Sequence, residues 1–166
     1  MTESALTPSG RRPSLSKTEG SSPRKEVKLE NEWNFIFDHK GPPGMKSVKY
    51  EETLLTVGES FDTVQDFWRY LNNFLPLSEF PCFSNLRLFK KGIRPIWEDD
   101  VNRKGGKWTI HTEKDQTPVL WLKLKLALIG EQFRHSADMC GAVVSIRPKT
   151  DTISLWNRTG TDSALV

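Results

Sequence analysis

The sequence predicts an α+β fold, an antiparallel sheet with helices on one face. Two observations carry this. Apolar periodicity switches along the chain in the order β-β-α-β-β-α-β-β, and the links between neighbouring strands are short. At 166 residues the chain holds one ordinary domain.

Residues 1–26 are rich in Ser, Thr, Pro, Gly, Arg and Lys, with only Leu6 and Leu15 large and apolar after Met1. Such a segment cannot bury enough surface to offset its ordering entropy and is expected to be a disordered tail. The domain is expected over 27–166. Its first element, Leu29 to Phe37, places apolar residues at 29, 33, 35 and 37, a strand period. A Gly-Pro-Pro-Gly loop follows, then a second strand from Tyr50 to Val57, closed by Gly58. Asp62-Thr63 caps a helix on which Val64, Phe67, Trp68, Leu71, Phe74 and Leu75 share a stripe, and Pro76 stops it.

Residues 85–90 read as a short strand, Arg94 to Trp97 as an extended segment and Lys107 to His111 as an alternating strand. The stretch 118–133 alternates in part, yet its length, its good helix formers and the Thr117-Pro118 start argue helix. At 100° per residue Leu120, Leu124, Ala127 and Leu128 share one face. Leu122 and Leu126 fall nearly opposite, so the helix is apolar on two sides. One side meets the sheet; the other meets more of the chain or a partner. Residues 139–147 and 151–156 form a closing hairpin.

Charge narrows the function. The excess of 24 Lys+Arg over 21 Asp+Glu lies wholly in residues 1–28, which carry six basic and three acidic residues. Residues 29–166 are balanced, so a polyanion site must be local. No apolar run reaches the roughly 18–20 residues of a membrane span, and residues 1–20 lack the apolar stretch of a secretory signal. Cys82 and Cys140 then point to a reducing compartment, expected to be the cytoplasm with a nuclear pool. Both look like small apolar fillers, and Trp33, Trp108 and Trp121 like packing residues.

Catalytic constellations are absent from the sequence: no glycine-rich phosphate loop, no paired Cys-x-x-Cys, and three scattered histidines. The chain is expected not to be an enzyme and to need no cofactor. Glu98-Asp99-Asp100 offers carboxylates for a divalent ion, but neighbours in a chain rarely converge on one metal, so no metal site is expected. Trp97-Glu98 is the stronger pair. An indole face attracts a cationic ring, and a carboxylate accepts from an N–H edge such as guanine's. Tyr50 stands as a second ring, and Arg147 and Lys149 as phosphate-holding cations. Spacing alone favours the plainer reading, a core tryptophan followed by a turn residue.

The runs FDTVQDFWRYLNN (61–73), LFKKGIRPIWEDDVNRKGGKW (88–108), LALIGEQF (126–133) and CGAVVSIRPKTDTISLWN (140–157) closely resemble the eukaryotic translation initiation factor 4E family. The resemblance covers roughly residues 27–160. It implies a curved sheet like a cupped hand, with helices on the convex back and the 7-methylguanosine cap of mRNA held on the concave side. By position, Trp97 is a stacking ring, Glu98 reads the guanine edge, Arg147 binds phosphate with Lys149 a weaker candidate, Lys107 stands near the phosphates, and Trp156 lies beside the methyl group. Tyr50 is the other ring, where the main class has tryptophan, which is similar to the 4E-homologous class. Thr152 replaces a basic residue, which implies weaker cap binding.

On the back, Val64, Trp68, Leu122 and Leu126 are implied to dock a partner helix with a Tyr-x-x-x-x-Leu-apolar pattern, from a 4G-type or 4E-binding-type protein. Lys123 replaces a usual glutamate there, and Val27-Lys28 a usual His-Pro. The resemblance places a third helix and two final strands beyond residue 166, so the fold is expected without them, as a monomer. The implied role is translation initiation or its regulation. The alternative is a partner-binding scaffold with little or no cap binding.

Overall fold

The computed structural model describes residues 25–39 and 50–160. Most of the expected disordered tail lies outside the described residues. The described chain runs β1 (Lys28–His39), β2 (Leu55–Thr63), α1 (Val64–Asn73), β3 (Ser84–Lys90), β4 (Gly106–Thr112), α2 (Thr117–Ile129), β5 (Met139–Ser145) and β6 (Asp151–Asn157). The six strands form one antiparallel sheet in the order β2-β1-β3-β5-β6-β4. It is curved, with the helices on its convex side.

Strand alternation gives the two sides their character. Trp33, Phe35, Leu86, Leu88, Ala142, Val144 and Ile153 point to the helices and form the main core with Phe67, Trp121 and Leu128. A smaller cluster of Ile36, Phe89, Ile93, Cys140, Val143 and Trp156 lies on the other side.

The second strand differs from its expected bounds. Tyr50–Thr53 is a single 3-10 turn, and β2 starts at Leu55 and runs past Gly58 to Thr63. Gly58 marks a bulge, not an end. Trp33 pairs with Phe61 but Phe35 with Val57, so β2 carries two extra residues there, and Gly58 takes φ +67°. The Tyr70 hydroxyl fills the bulge, accepting from Glu59 N–H at 2.7 Å and donating to its carbonyl at 2.6 Å. A side chain at Gly58 would run into that hydroxyl.

α1 starts as expected: Thr63 Oγ1 accepts from Asp66 N–H at 3.0 Å. α2 stops at Ile129 instead of 133, because Gly130 caps it and Glu131 takes φ 50°. Its sheet-facing stripe is Thr117, Trp121, Lys125 and Leu128. Leu120 and Leu124 are half-buried at the flank of the core, and Leu122 and Leu126 do face outward. The expected packing of Leu120, Leu124, Ala127 and Leu128 misjudged the centre of that face, since a lysine occupies it.

Two residues read as buried are exposed. Trp108 lies on the edge strand β4 with no helix over it, and Cys82 sits in the link before β3. Cys140 is buried, and burial pushes its thiol up to about 11. Trp33 and Trp121 are core residues.

Candidate ligand cleft on the concave side

The loop between β3 and β4 carries Trp97 and Glu98. It is a run of turns, not the extended strand end that Arg94-Pro95 suggested. Two side chains shape it. The Asp99 carboxylate accepts from Arg94 N–H and Val101 N–H, each at 3.0 Å. The fully buried Asn102 amide donates to the carbonyls of Arg94 at 2.7 Å and Ile96 at 2.9 Å. Asp99 is therefore a loop-closing residue, and Asp100 pairs with Arg103 at 3.0 Å. Among the described residues no group of three or more His, Cys, Asp or Glu could hold a metal ion.

This scaffold presents Trp97 and Glu98 to a cavity of about 420 Å³, whose floor is the concave face of β3, β5 and β6. Trp97 is 43% exposed and stacks on Trp156, with centroids 4.1 Å apart at 29°. Phe89 meets Trp156 edge-on and holds it from beneath. Lys107, on β4 opposite Trp156, lays its ammonium 5.6 Å from the Trp97 centroid and 5.7 Å from that of Trp156. The indole faces thus already attract a cation.

The far end of the cavity is cationic. Arg147, just past β5, donates to the carbonyls of Ser84 at 3.1 Å and Ile146 at 2.8 Å, and to Asn85 Oδ1 at 2.8 Å. Its backbone N–H donates to Asp151, which also pairs with Lys114. Asn85 in turn donates to Asp38 at 2.8 Å, and Asp38 forms a buried ion pair with Arg87. Burial and the charge of Arg147 pull Arg87 down to about 10, so it stays charged at neutral pH. The chain Arg87–Asp38–Asn85–Arg147 fixes a guanidinium at the cavity wall.

Of the expected ligand residues, Trp97, Glu98, Lys107, Arg147 and Trp156 line one cavity. Lys149 does not; it borders a neighbouring shallow depression with His111, Arg147 and Thr152. Tyr50 opens the 3-10 turn before β2, and its ring falls outside the described residues. Asn85, Arg87, Thr109 and Ser154 also line the cavity and were not singled out from sequence. Polar residues alternating with leucines in Asn85-Leu86-Arg87-Leu88 were the available signal.

On the convex side, Val64 and Trp68 on α1 and Leu122 and Leu126 on α2 keep part of their surface in solvent, 42% for Trp68 and 38% for Leu126. Val119, 55% exposed, joins the Leu122–Leu126 stripe at helical spacing. Lys123 is exposed beside it. Val27 is stapled to the start of α1, its carbonyl accepting from Val64 N–H at 2.8 Å and its N–H donating to Gln65 at 3.0 Å.

A curved antiparallel sheet with two helices behind it, and an aromatic, cation-lined cleft in front, defines a binding module of the α+β class. Residues 28–166 match the eukaryotic initiation factor 4E family, and the chain belongs to it. It is 41% identical over 138 residues to the eukaryotic translation initiation factor isoform 4E of Arachis hypogaea, covering 82% of this chain and 67% of that protein. It is 49% identical over 104 residues to the eukaryotic translation initiation factor 4E1 of Drosophila melanogaster, covering 61% of this chain and 40% of that one. The chain thus spans about two thirds or less of these relatives. Its fold is similar to C. elegans eIF4E-3 in complex with the 4E-binding protein Mextli and a cap analog, with TM-score 0.78 and 34% identity over 85% of this chain and 79% of that chain.

Proposed function

We propose that this chain binds the 7-methylguanosine cap of mRNA in the concave cleft, and acts in translation initiation or its regulation through a partner helix on the convex side. The observation that carries the reading is the stacked Trp97–Trp156 pair with a cation held over both rings, beside Glu98. N7 methylation makes guanine cationic. A cationic base gains about 0.5–2 kcal/mol per aromatic face over the neutral one, and stacking adds about 1–3 kcal/mol per base. Glu98 accepts from the guanine N–H edge. Arg147 and Lys107 receive the phosphates, with Lys149 at the periphery. Tyr50 supplies the opposing ring, and Trp156 stands beside the methyl group.

Val64, Trp68, Leu122 and Leu126 dock a Tyr-x-x-x-x-Leu-apolar helix of a 4G-type or 4E-binding-type protein. The C. elegans eIF4E-3 complex with both Mextli and a cap analog supports the pairing of these two roles. The proposed setting is the cytoplasm.

The test is a tryptophan-fluorescence titration of the folded chain with 7-methyl-GTP and GTP. Selective quenching by the methylated nucleotide, lost in Trp97→Ala and weakened in Glu98→Gln, is the expected result. Equal responses to both nucleotides, or none, would overturn cap binding. Loss of the partner peptide in Trp68→Ala, with cap binding kept, separates the two faces.

A further inference from the structure

On the convex side, between the end of α1, the turn at 77–79 and α2, lies a small cavity of about 210 Å³. Leu71, Phe74, Leu77, Phe80, Leu86 and Trp121 contribute its wall, and Lys125 is the one titratable side chain lining it. Lys125 is 5% exposed and sits in the core-facing stripe of α2. Among the described residues its ammonium has no hydrogen-bond acceptor and no carboxylate. It lies instead over the rings of Trp121 and Phe35, at 5.4 and 6.0 Å from their centroids. The indole N–H of Trp121, by contrast, is fully buried without an acceptor. The ammonium is thus the one side-chain donor that this apolar hollow offers a ligand.

A buried cation is ordinarily paired, because leaving it alone costs more than the pair does. Here the desolvation of Lys125 is already built into the folded chain. Burial alone pushes its pKa down to about 8, so at neutral pH it is still mainly charged. A ligand that brings one carboxylate gains Coulomb energy in a low-dielectric site and desolvates only itself. The rest of the wall calls for hydrocarbon. The volume falls below the roughly 300–1,000 Å³ of drug-sized sites, so the ligand is small.

We propose that this cavity binds a small amphipathic monocarboxylate, a medium-chain or aryl acid, with its carboxylate on Lys125 and its apolar body against Phe74, Leu77, Phe80 and Trp121. The site lies on the opposite side of the sheet from the cleft and does not depend on the cap reading.

The experiment is an NMR titration of the ¹⁵N-labelled full chain with sodium octanoate, using 1-octanol as the uncharged probe. Octanoate is expected to shift the Trp121 indole and the amides of Leu86 and Lys125. At pH 7 it is expected to bind tighter than octanol by about tenfold, as one charge-assisted hydrogen bond provides. In Lys125→Met, a variant relieved of a buried charge, that preference should vanish while octanol binding persists. At pH 9.5, with Lys125 neutral, the wild-type preference should also shrink. No octanoate binding, equal affinities for the two probes, a preference that survives Lys125→Met, or shifts confined to the concave cleft would each overturn the proposal.

Discussion

The two sides of the sheet are made by the same strands and have opposite chemistry. On β3, Leu86 and Leu88 face the helices while Asn85 and Arg87 face the cleft. On β6, Ile153 and Leu155 stand back to back with Thr152, Ser154 and Trp156. The convex side is a continuous aromatic and aliphatic core. The concave side holds a buried ion pair, a guanidinium with three acceptors and a half-open tryptophan. The larger apolar core lies behind the sheet, with only a smaller cluster around Phe89 and Trp156 in front, so stability is concentrated behind. The front spends its positions on groups able to recognise a ligand, and these contribute little to folding or oppose it.

The sharpest break between the sides is the response to losing one aromatic ring. Phe67 is fully buried against Phe61 and Trp68. Phe67→Ala is expected to cost about 3–5 kcal/mol in urea unfolding, from lost transfer energy and the cavity left behind. Trp97→Ala removes a ring already 43% exposed and is expected to cost less, about 1–2 kcal/mol. Similar losses at the two positions would mean that the cleft is part of the folding core.

The ion pair tests whether the front has a core of its own. Asp38 and Arg87 are buried, with side-chain exposures of 0% and 4%. Asp38→Ala removes the buried carboxylate that pairs with Arg87 and holds Asn85, and is expected to cost about 3 kcal/mol. Replacing both charges, as Asp38→Leu with Arg87→Met, should recover most of that loss in the same urea assay. The double variant should also loosen Arg147, because the network that holds it is gone. A double variant as unstable as Asp38→Ala would mean that the network stabilises beyond its charge balance.

Several features of this division were legible in the sequence. The order of all eight elements follows from periodicity and breakers, and the Thr63 cap from a local rule. Trp97-Glu98 was visible as a pair with Arg147 beside it, while Lys107 and Trp156 entered only through the family resemblance. Arg147, Trp156 and Lys107 come from three separate strands or strand ends, and only the pairing of β4, β5 and β6 puts them together. Gly58 was misread because a strand glycine ends or bulges a strand equally well by sequence, and the choice rests on Tyr70 twelve positions later in the chain. Lys125 was missed because polarity normally marks the outer face of a helix.

Lys125 also reverses the usual sign of a convex-side mutation. Its pKa falls from 10.5 to about 8 by burial, a shift that corresponds to roughly 3 kcal/mol. Cation–π contact with Trp121 and Phe35 offsets part of it. Lys125→Met is therefore expected to raise stability by about 2 kcal/mol at pH 7. Below pH 8 the lysine is charged in both states and its penalty is fully present. Between 8 and 10.5 unfolding takes up a proton, so wild-type stability rises with pH relative to the variant. Above 10.5 the gap closes. Urea unfolding of both chains at pH 7 and pH 10 checks this, and a gap that does not narrow would show that the lysine is not buried in solution.

The smallest effect marks where the convex core stops. Trp108 and Ile110 point to the convex side in register with Leu155 and Ile153, yet both are 52% exposed. α2 packs over β5, β6 and β1, and β4 lies beyond it. Hydrophobic side chains on the correct side of a sheet thus add little when no element covers them. Trp108→Ser is expected to change the unfolding free energy by no more than about 0.5 kcal/mol, as at surface positions generally. Trp33→Ala, under a fully buried ring on the same side, is expected to cost about 3–5 kcal/mol. A loss above about 1 kcal/mol at Trp108 would mean that its indole is covered in the folded chain and that the core reaches the edge strand. The fluorescence lost between the wild-type chain and Trp108→Ser, one of six tryptophans, separates the cases: an indole in water emits to the red and is quenched by iodide, while a covered one is not.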